Sequence, residues 1–286
     1  MKVAIVGAGI AGLSCAVHLQ HGGFAVTLFD KGRGAGGRMA TRRIDMAGDE
    51  VSFDHGAQYL TMRDPDFIAA MHAWEAAGVV ARWPAAGADA WVGTPGMNAV
   101  VKHLAAQAEV RWNCRVDEIR RTAAGWTIDP DATGTLFDAV VIATPAEQAA
   151  PLLAPHEPAM ASETLACRSA PCWTAMFAFD ARLAIPSDVL KDAGIIGWAA
   201  RNSAKPGRRD PESWVVQATP DWSRDHLEES VETVVDRLLA ALATHIPTEL
   251  PRPIIRTGHR WRYARASGAD LGFLWNAGER IGATGD

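Results

Sequence analysis

Three glycines near the amino terminus have the spacing Gly7-x-Gly9-x-x-Gly12. In such a turn the first glycine permits a tight bend, the second lets the backbone approach a pyrophosphate, and the third lets a helix lie close to a strand. The amide groups and positive end of that helix would hold the diphosphate. Asp30 lies eighteen residues past Gly12, about where an acid accepts a hydrogen bond from a ribose hydroxyl. This spacing predicts a dinucleotide site.

The segments around the turn predict a complete βαβ unit. Residues 2–6 form a short apolar run of the kind that a buried parallel strand shows. Residues 13–20 follow as a helix, and residues 25–29 form a second strand that ends on Asp30. A glycine-rich turn without a ligand is the alternative, but strand, helix, second strand and acid all occur in the order that nucleotide binding needs.

The loop after Asp30 carries a second signal. Residues 31–43 contain four glycines and four arginines. Glycine admits close backbone approach and arginine supplies a forked, permanently charged donor, so this loop can wrap an anion. The alternative is a flexible basic surface loop.

Composition excludes several classes of protein. The 286 residues exceed one average domain, and the net charge of −5 provides no basic excess for nucleic acid. No apolar run approaches a membrane span, and Met1 leads directly into the first strand, so no signal peptide and a cytoplasmic location are expected. The four cysteines form no C-x-x-C pair.

Metal and hydrolase chemistry have little support in the sequence. The nine histidines are scattered, with no H-x-x-x-H or H-E-x-x-H spacing, and no G-x-S-x-G is present. No metal site is therefore expected.

Periodicity predicts further elements along the chain. A short extended segment surrounds Gly56, helices are expected at 66–77 and 99–106, and strands at 110–116, 125–128 and 137–143, the last a central strand ending at Thr144. After Ala146 the composition changes: proline becomes frequent, and segments of alternating apolar and polar residues appear. This indicates a second, sheet-rich domain. Its elements are expected at 174–179, 194–200, 213–219 and 251–265, with an amphipathic helix at 225–245. The glycine-rich residues 276–286 suit a nucleotide loop.

Two stretches carry a family resemblance. Residues 30–42 (DKGRGAGGRMATR) and 53–59 (FDHGAQY) resemble the renalase-like flavoproteins, a branch of the FAD-dependent amine oxidase superfamily. Residues 198–208, 218–223 and 259–264 also look like bacterial members of that branch. The βαβ motif of residues 1–30 is shared by many NAD and FAD proteins. The resemblance therefore depends on residues 30–42 and 53–59.

The resemblance implies an α/β fold with a Rossmann-like FAD-binding domain and a second, mixed-sheet substrate domain, in a p-hydroxybenzoate hydroxylase-like arrangement. The FAD-binding domain is expected at 1–65, 94–148 and 266–286, and the substrate domain at 66–93 and 149–265. FAD is expected to be held non-covalently. Its contacts would come from Gly7, Gly9, Ile10, Ala11, Gly12, Asp30, Lys31, Arg33, Gly37, Arg38, Met39, Gly56, Ala57, Gln58, Tyr59, Val116, Thr144, Gly285 and Asp286.

The resemblance also implies a reaction. Renalases oxidise isomeric dihydronicotinamide dinucleotides to NAD(P)+, and O2 reoxidises the flavin to give peroxide. Such a substrate already carries a hydride that it will release, so the protein contributes orientation and exclusion of water and no catalytic acid–base residue is expected. Candidates for lining the substrate pocket are Tyr59, Asn202, Gln217 and Trp261. Arg256, Arg260, Arg262 and Arg265 either hold substrate phosphates or form a solvated strand face.

Other functions stay open at this point. A true amine oxidase usually has an aromatic pair beside the amine and a lysine near the flavin. This chain has few candidates for these roles, with two tyrosines and five lysines. A non-catalytic FAD-binding protein and a single-component hydroxylase are further alternatives. Renalase relatives continue past the position of Asp286 into a closing helix that faces the flavin, and a chain without it would be expected to bind FAD less tightly.

Overall fold

The computed structural model describes residues 1–46, 48–131, 133–208, 211–267 and 272–285. The chain divides into two compact units. Unit 1 comprises Met1–Gly37, Val101–Ser169 and Ala266–Asp286, and unit 2 comprises Arg38–Val100 and Ala170–Arg265.

Helices and strands alternate along much of the chain. The helices are α1 (Ile10–His21), α2 (Pro65–Ala76), α3 (Ala99–Ala105), α4 (Ala146–Leu153), α5 (Pro158–Thr164), α6 (Pro220–Asp225) and α7 (Val231–Ala243). The strands are β1 (Lys2–Val6), β2 (Ala25–Phe29), β3 (Thr41–Met46), β4 (Asp49–Asp54), β5 (Val80–Arg82), β6 (Trp91–Gly93), β7 (Glu109–Arg111), β8 (Glu118–Thr122), β9 (Gly125–Asp129), β10 (Ala139–Ile142), β11 (Arg168–Phe179), β12 (Val189–Ala193), β13 (Ile196–Arg201), β14 (Glu212–Ala218), β15 (Ile255–Ser267), β16 (Phe273–Asn276) and β17 (Ile281–Thr284).

Unit 1 is built on a six-stranded sheet with the order β16-β17-β10-β1-β2-β7. Strand β1 pairs in parallel with β2 on one side and with β10 on the other. The predicted βαβ unit and the central strand ending near Thr144 are therefore confirmed. The order in which the strands are added to the sheet reverses at β1, because β2 lies on one side of β1 and β10 on the other. Ligands of open α/β sheets bind beyond the carboxyl ends of the strands at such a switch point.

The face of this sheet opposite α1 is covered by helices that the sequence analysis did not predict. Helix α4 buries Leu153 against Val6, Ile142 and Ile281, and the ring of Trp126 joins the same core. The change of texture after Ala146 was interpreted as the start of a second domain, but residues 146–169 belong to unit 1. Frequent proline misled that prediction, because Pro158 lies in the first turn of α5, where its missing N–H costs nothing.

Two sequence predictions in unit 1 need correction. The glycine-rich end of the chain is a hairpin, since β16 pairs with β17 and β17 joins β10. Gly282 is required there because a Cβ atom at this position would lie 2.3 Å from the carbonyl oxygen of Leu274. The strand predicted at 110–116 ends at Arg111, because Asn113 adopts a positive φ of 55°.

Unit 2 is built on a five-stranded sheet with the order β12-β13-β14-β11-β15. One face packs the rings of Trp173, Phe177 and Trp214 against Val234 and Leu238 of α7. The amphipathic helix predicted at 225–245 begins only at Val231, where the hydroxyl of Ser230 accepts a hydrogen bond from the amide of Thr233. Such a cap defines a helix start.

The hairpin of β3 and β4 packs on the other face of this sheet. Val51 and Phe53 contact Met176, Ala178 and Val215. Residues 38–65 and 94–100 therefore group with unit 2, whereas the predicted functional domains placed them with the FAD-binding part. The predicted domain bounds describe function and remain a prediction. Within the described residues, no helix combines the length and hydrophobicity that crossing a bilayer requires.

Candidate functional site

The turn before α1 has the shape that a phosphate needs. A Cβ atom at Gly12 would lie 2.0 Å from the carbonyl oxygen of Gly7, and Gly7 itself has a φ of +106°. A Cβ atom at Gly9 would meet nothing within 4 Å, and Gly9 caps the helix with no side-chain hydrogen bond. The turn is therefore closed on its helix side and open above Gly9. The first-turn amides, those of Ile10 and Ala11 included, are placed to bind an anion.

Asp30 connects this turn to the glycine-rich loop. Its carboxylate accepts hydrogen bonds from the amides of Ala8, at 2.7 Å, and Gly32, at 2.6 Å. Gly37 comes close to the same turn, since its Cβ atom would lie 3.5 Å from the Cα of Gly9. The carboxylate thus fixes both loops, and its further lone pairs can accept from a ribose hydroxyl.

Other predicted cofactor residues of unit 1 lie around this turn. A Cβ atom at Gly7 would lie 3.1 Å from the Thr144 side chain, and one at Gly285 would lie 4.0 Å from the Cβ of Ala11. The hydroxyl of Thr144 is buried and has no hydrogen-bond partner in the described part of the chain. Thr144 and Gly285 also line an open cleft. An orphaned hydroxyl beside a glycine cradle fits a bound polar ligand.

The remaining described residues predicted for unit 1 show no feature that points to a cofactor. Lys31 is exposed and donates to Gln148 at 3.0 Å, and Arg33 is exposed. Val116 is partly buried and packs against the core beneath the sheet. Asp286 lies outside the described residues.

In unit 2, the peptide between Gly56 and Ala57 is held on both sides. The amide of Ala57 donates to the carbonyl of Arg38 at 2.8 Å. The carbonyl of Gly56 accepts from Gln58 Nε2 at 3.0 Å and from Gln217 Nε2 at 2.8 Å. A Cβ atom at Gly56 would lie 2.0 Å from the Arg38 carbonyl oxygen, so only glycine fits. This explains the glycine of the predicted flavin-lining segment 56–59. Met39, which directly follows Arg38, is buried.

A buried charge cluster supports that segment. The Asp54 carboxylate binds the guanidinium of Arg208 and lies 3.4 Å from Nζ of Lys205. Burial alone would raise the pKa of Asp54, but the two cations and the amide of Met97 lower it to about 2. Burial lowers the pKa of Lys205 to about 8, against the attraction of Asp54. Lys205 also donates to Gln58 Oε1 at 3.0 Å, which turns Nε2 of Gln58 toward Gly56.

All four predicted substrate residues contact segment 52–59 or belong to it. The ring of Tyr59 lies 5.2 Å from that of Trp198, and Trp198 is the cross-strand partner of Gln217. Trp261 donates from Nε1 to the carbonyl of His55 at 2.9 Å. Asn202 is only 1% exposed, and both ends of its amide bond the main chain of Ser52 and Asp54. This arrangement favours a role for Asn202 in holding the hairpin; its contact with substrate remains a prediction.

A histidine pair adjoins Trp261. The ring of His55 stacks on that of Trp261 at 5.1 Å and meets that of His259 at 5.0 Å, edge to face. Burial, with His259 and Arg42 nearby, lowers the pKa of His55 to about 4. Burial and the charge of Arg42 lower the pKa of His259 to about 4 as well. Both imidazoles are therefore neutral at pH 7.

Sequence reasoning missed Asp54, His55, Lys205 and His259 as members of this site. His55 directly precedes Gly56, and His259 occurs in one of the stretches that carry the resemblance, so proximity to those motifs was the available signal. Pro206-Gly207 follows Lys205, and this dipeptide is typical of a turn. Across the described ranges, no group of three or more metal-ligating side chains is placed to hold a metal ion.

Comparison with protein families assigns the chain. Residues 5–74 match an NAD(P)-binding Rossmann-like domain, and residues 83–271 match the flavin containing amine oxidoreductase family. The second match covers more than half of the 286 residues. The chain belongs to the flavin containing amine oxidoreductase family. It is therefore an FAD-dependent oxidoreductase, and the turn before α1 is the part of unit 1 that fits the cofactor's diphosphate.

Individual relatives resemble this chain over different shares of its length. A 4,4'-diapophytoene desaturase of Staphylococcus aureus (strain Newman) is 38% identical over 64 residues, which are 22% of this chain and 12% of the desaturase. A structure of putrescine oxidase bound to putrescine has a TM-score of 0.73 at 15% identity and covers 99% of this chain and 93% of its own. Cyclohexylamine oxidase from Brevibacterium oxydans has a TM-score of 0.67 at 13% identity, with coverages of 91% and 84%. At these identities the two structures show the fold alone.

Proposed function

We propose that this flavoprotein oxidises isomeric dihydronicotinamide dinucleotides, in the manner of renalases. The substrate loses the hydride that its ring carries on the wrong carbon. This hydride, one proton and O2 together give H2O2, and the dinucleotide becomes NAD(P)+. FAD, when bound, supplies the hydride acceptor and returns the electrons to O2. The chain's own residues need only bind, orient and exclude water.

The fixed amide of Gln217 among aromatic rings is the observation that carries this proposal. Because Nε2 of Gln217 donates to Gly56, Oε1 remains as an acceptor beside the ring of Trp198, its cross-strand neighbour. Cross-strand partners project from the same face of a sheet. An amide acceptor next to a flat ring suits the carboxamide and ring of a dihydronicotinamide, and Tyr59 and Trp261 supply further aromatic surface around Gly56.

Charge supports the same choice. Among the described residues of unit 2, the buried carboxylates are Asp54 and Glu212. Asp54 is paired with Lys205 and Arg208, and Glu212 with Arg201. A protonated amine would find neither of them uncompensated, whereas a neutral dihydropyridine ring needs no carboxylate.

Within unit 1, the residues that the resemblance to renalases implies for FAD binding are the glycine turn, Asp30, Lys31, Arg33, Gly37, Val116, Thr144, Gly285 and Asp286. The glycine turn fits best, because it leaves amides uncapped above an open surface.

A flavin amine oxidase acting on a small amine is the second candidate. The family match and the fold shared with putrescine oxidase favour it, and Tyr59 and Trp198 form an aromatic pair at 5.2 Å. Peroxide production would separate the candidates: the protein is incubated with isomerised NADH or NADPH, or with putrescine or cyclohexylamine. Peroxide from the dinucleotide isomers alone supports the first function, and peroxide from amines alone supports the second.

A further inference from the structure

Arg42 differs from its neighbour Arg43 in what it contacts. Arg42 lies opposite the fully buried Phe53 in the β3–β4 hairpin. Its Nη1 donates to the carbonyl of Gly258 at 3.2 Å, and its Nη2 lies 3.4 Å from Nδ1 of His259. Arg43 points to the other face and pairs with Glu50 at 3.0 Å.

The charge of Arg42 is uncompensated. In the ranges that the structure describes, no carboxylate lies within 4.0 Å of its guanidinium, although its side chain is partly buried. The titratable neighbours His55 and His259 are neutral at pH 7. Asp54, which acts on His55 from the end of β4, is already bound by two cations. A partly desolvated cation among neutral groups favours an anion as its partner.

The two histidines near this cation offer further polar groups. Because Nδ1 of neutral His259 faces the guanidinium, its proton resides on Nε2, which is thereby a donor. The guanidinium keeps further N–H groups in a planar fork, which matches the oxygens of phosphate. His55 is 6% exposed, and its Nδ1 is buried without a hydrogen-bond partner within the described chain. In the tautomer that carries its proton on Nδ1, His55 would donate to a bound oxyanion.

We propose that Arg42, His259 and His55 form an anion subsite that binds a phosphate group of the dinucleotide substrate. This rests on the proposed function. The ring of Trp261 stacks on His55, so the subsite adjoins an aromatic surface offered to the nicotinamide. Three of the four arginines that the sequence first suggested for phosphate pair with carboxylates elsewhere in unit 2: Arg256 binds Asp236, and Arg260 and Arg262 bind Glu228.

Calorimetric titration of the FAD-loaded protein with ADP-ribose tests the subsite, because ADP-ribose carries the diphosphate without the nicotinamide. Arg42→Gln should weaken ADP-ribose binding about tenfold or more, the effect of losing one charge-assisted contact. Arg42→Lys keeps the charge without the fork and should lose less. Arg43→Gln is the matched control, and its affinity should stay within about twofold of the original. Inorganic pyrophosphate should bind more weakly than ADP-ribose; equal binding would identify a site for free phosphate and contradict a substrate subsite.

Histidine resonances give a readout that needs no turnover. Saturating ADP-ribose should raise the pKa of His55 and His259 in the original protein and leave both unchanged in Arg42→Gln, since an adjacent anion favours the charged imidazole. The proposal is overturned if ADP-ribose does not bind, if Arg42→Gln binds it as tightly as the original protein, or if Arg43→Gln loses as much. Failure of the proposed function looks different: dinucleotide isomers would leave the flavin oxidised even where ADP-ribose binds through Arg42.

Discussion

Lys205 and Arg208 share a single buried carboxylate, that of Asp54. Nζ of Lys205 lies 3.4 Å from Oδ2 of Asp54, the same oxygen that the Arg208 guanidinium binds, and the three side chains are at most 1% exposed. The cluster therefore carries one positive charge more than its carboxylate balances. It supports the segment 54–59, because Lys205 also fixes the amide of Gln58.

Removal of the carboxylate should cost more than removal of the lysine. Asp54→Asn leaves two cations buried without a counter-charge, which should lower the free energy of unfolding by about 3–5 kcal/mol. Lys205→Met leaves Asp54 paired with Arg208 and should cost only about 1 kcal/mol, for the lost hydrogen bond to Gln58. Urea unfolding of the two variants measures the difference. A larger loss for Lys205→Met than for Asp54→Asn would show that the lysine, not the carboxylate, organises the cluster.

Alkaline pH should stabilise the protein through Lys205. Its pKa is about 8 in the folded state against 10.5 as the usual value, so the unfolded state binds more protons between those two pH values. The free energy of unfolding should therefore rise with pH across that window, by up to about 3 kcal/mol from this group. Unfolding curves at pH 8, 9 and 10 should show the rise in the original protein and in Lys191→Met, but a smaller rise in Lys205→Met. Identical pH dependence in all three would contradict a buried, charged Lys205.

Acid should destabilise the protein through the histidine pair. The pKa of His55 is about 4 in the folded state against a usual 6.5. Between pH 6.5 and pH 4 the imidazole is therefore protonated in the unfolded state but neutral in the folded state, which lowers the free energy of unfolding. His55 alone should cost about 3 kcal/mol over this range. His55→Phe keeps a ring to stack on Trp261 but cannot be protonated, so it should lose less stability in acid. The exposed His72 provides the control, since His72→Ala should retain the original acid sensitivity.

The two glycines of the amino-terminal turn should fail in different ways when replaced by alanine. Gly12→Ala places a methyl group 2.0 Å from the Gly7 carbonyl, so it should destabilise even the protein without cofactor. Gly9→Ala meets nothing within 4 Å and has an ordinary φ of −74°, so stability should be kept. It should nevertheless weaken FAD binding about tenfold or more, because the methyl group blocks the diphosphate's approach. Thermal unfolding and flavin retention on gel filtration check both; full retention of FAD by Gly9→Ala would place the diphosphate elsewhere.

The sequence was most informative where one local pattern determines the structure. The Gly7–Gly12 turn, its flanking strands and Asp30 are local, and their spacing alone predicts the βαβ unit. Strands β11, β13 and β14 of unit 2 were predicted from their alternation, whereas β12 was not. Helix α4 was missed because its burial depends on packing against Ile281, which lies far later in the sequence.

The site in unit 2 shows where local patterns stop. Gln217 and Trp261 were chosen by position within a resemblance, and both contact the segment around Gly56. Nothing local indicates that Lys205 is buried, because its partners Asp54 and Gln58 lie about 150 residues earlier. Likewise, Arg42 is set apart from Arg43 only by the strand that packs against the hairpin. Long-range contacts, not residue types, assign these roles.

Anaerobic mixing of the FAD-loaded protein with isomeric dihydronicotinamide dinucleotides tests the central claim most directly. The account predicts that at least one isomer bleaches the oxidised-flavin absorbance within a single turnover and that NAD(P)+ accumulates. Air should then restore the absorbance and yield one peroxide per NAD(P)+. Absorbance that every isomer leaves unchanged, while putrescine or cyclohexylamine bleaches it, would contradict the account and identify an amine oxidase.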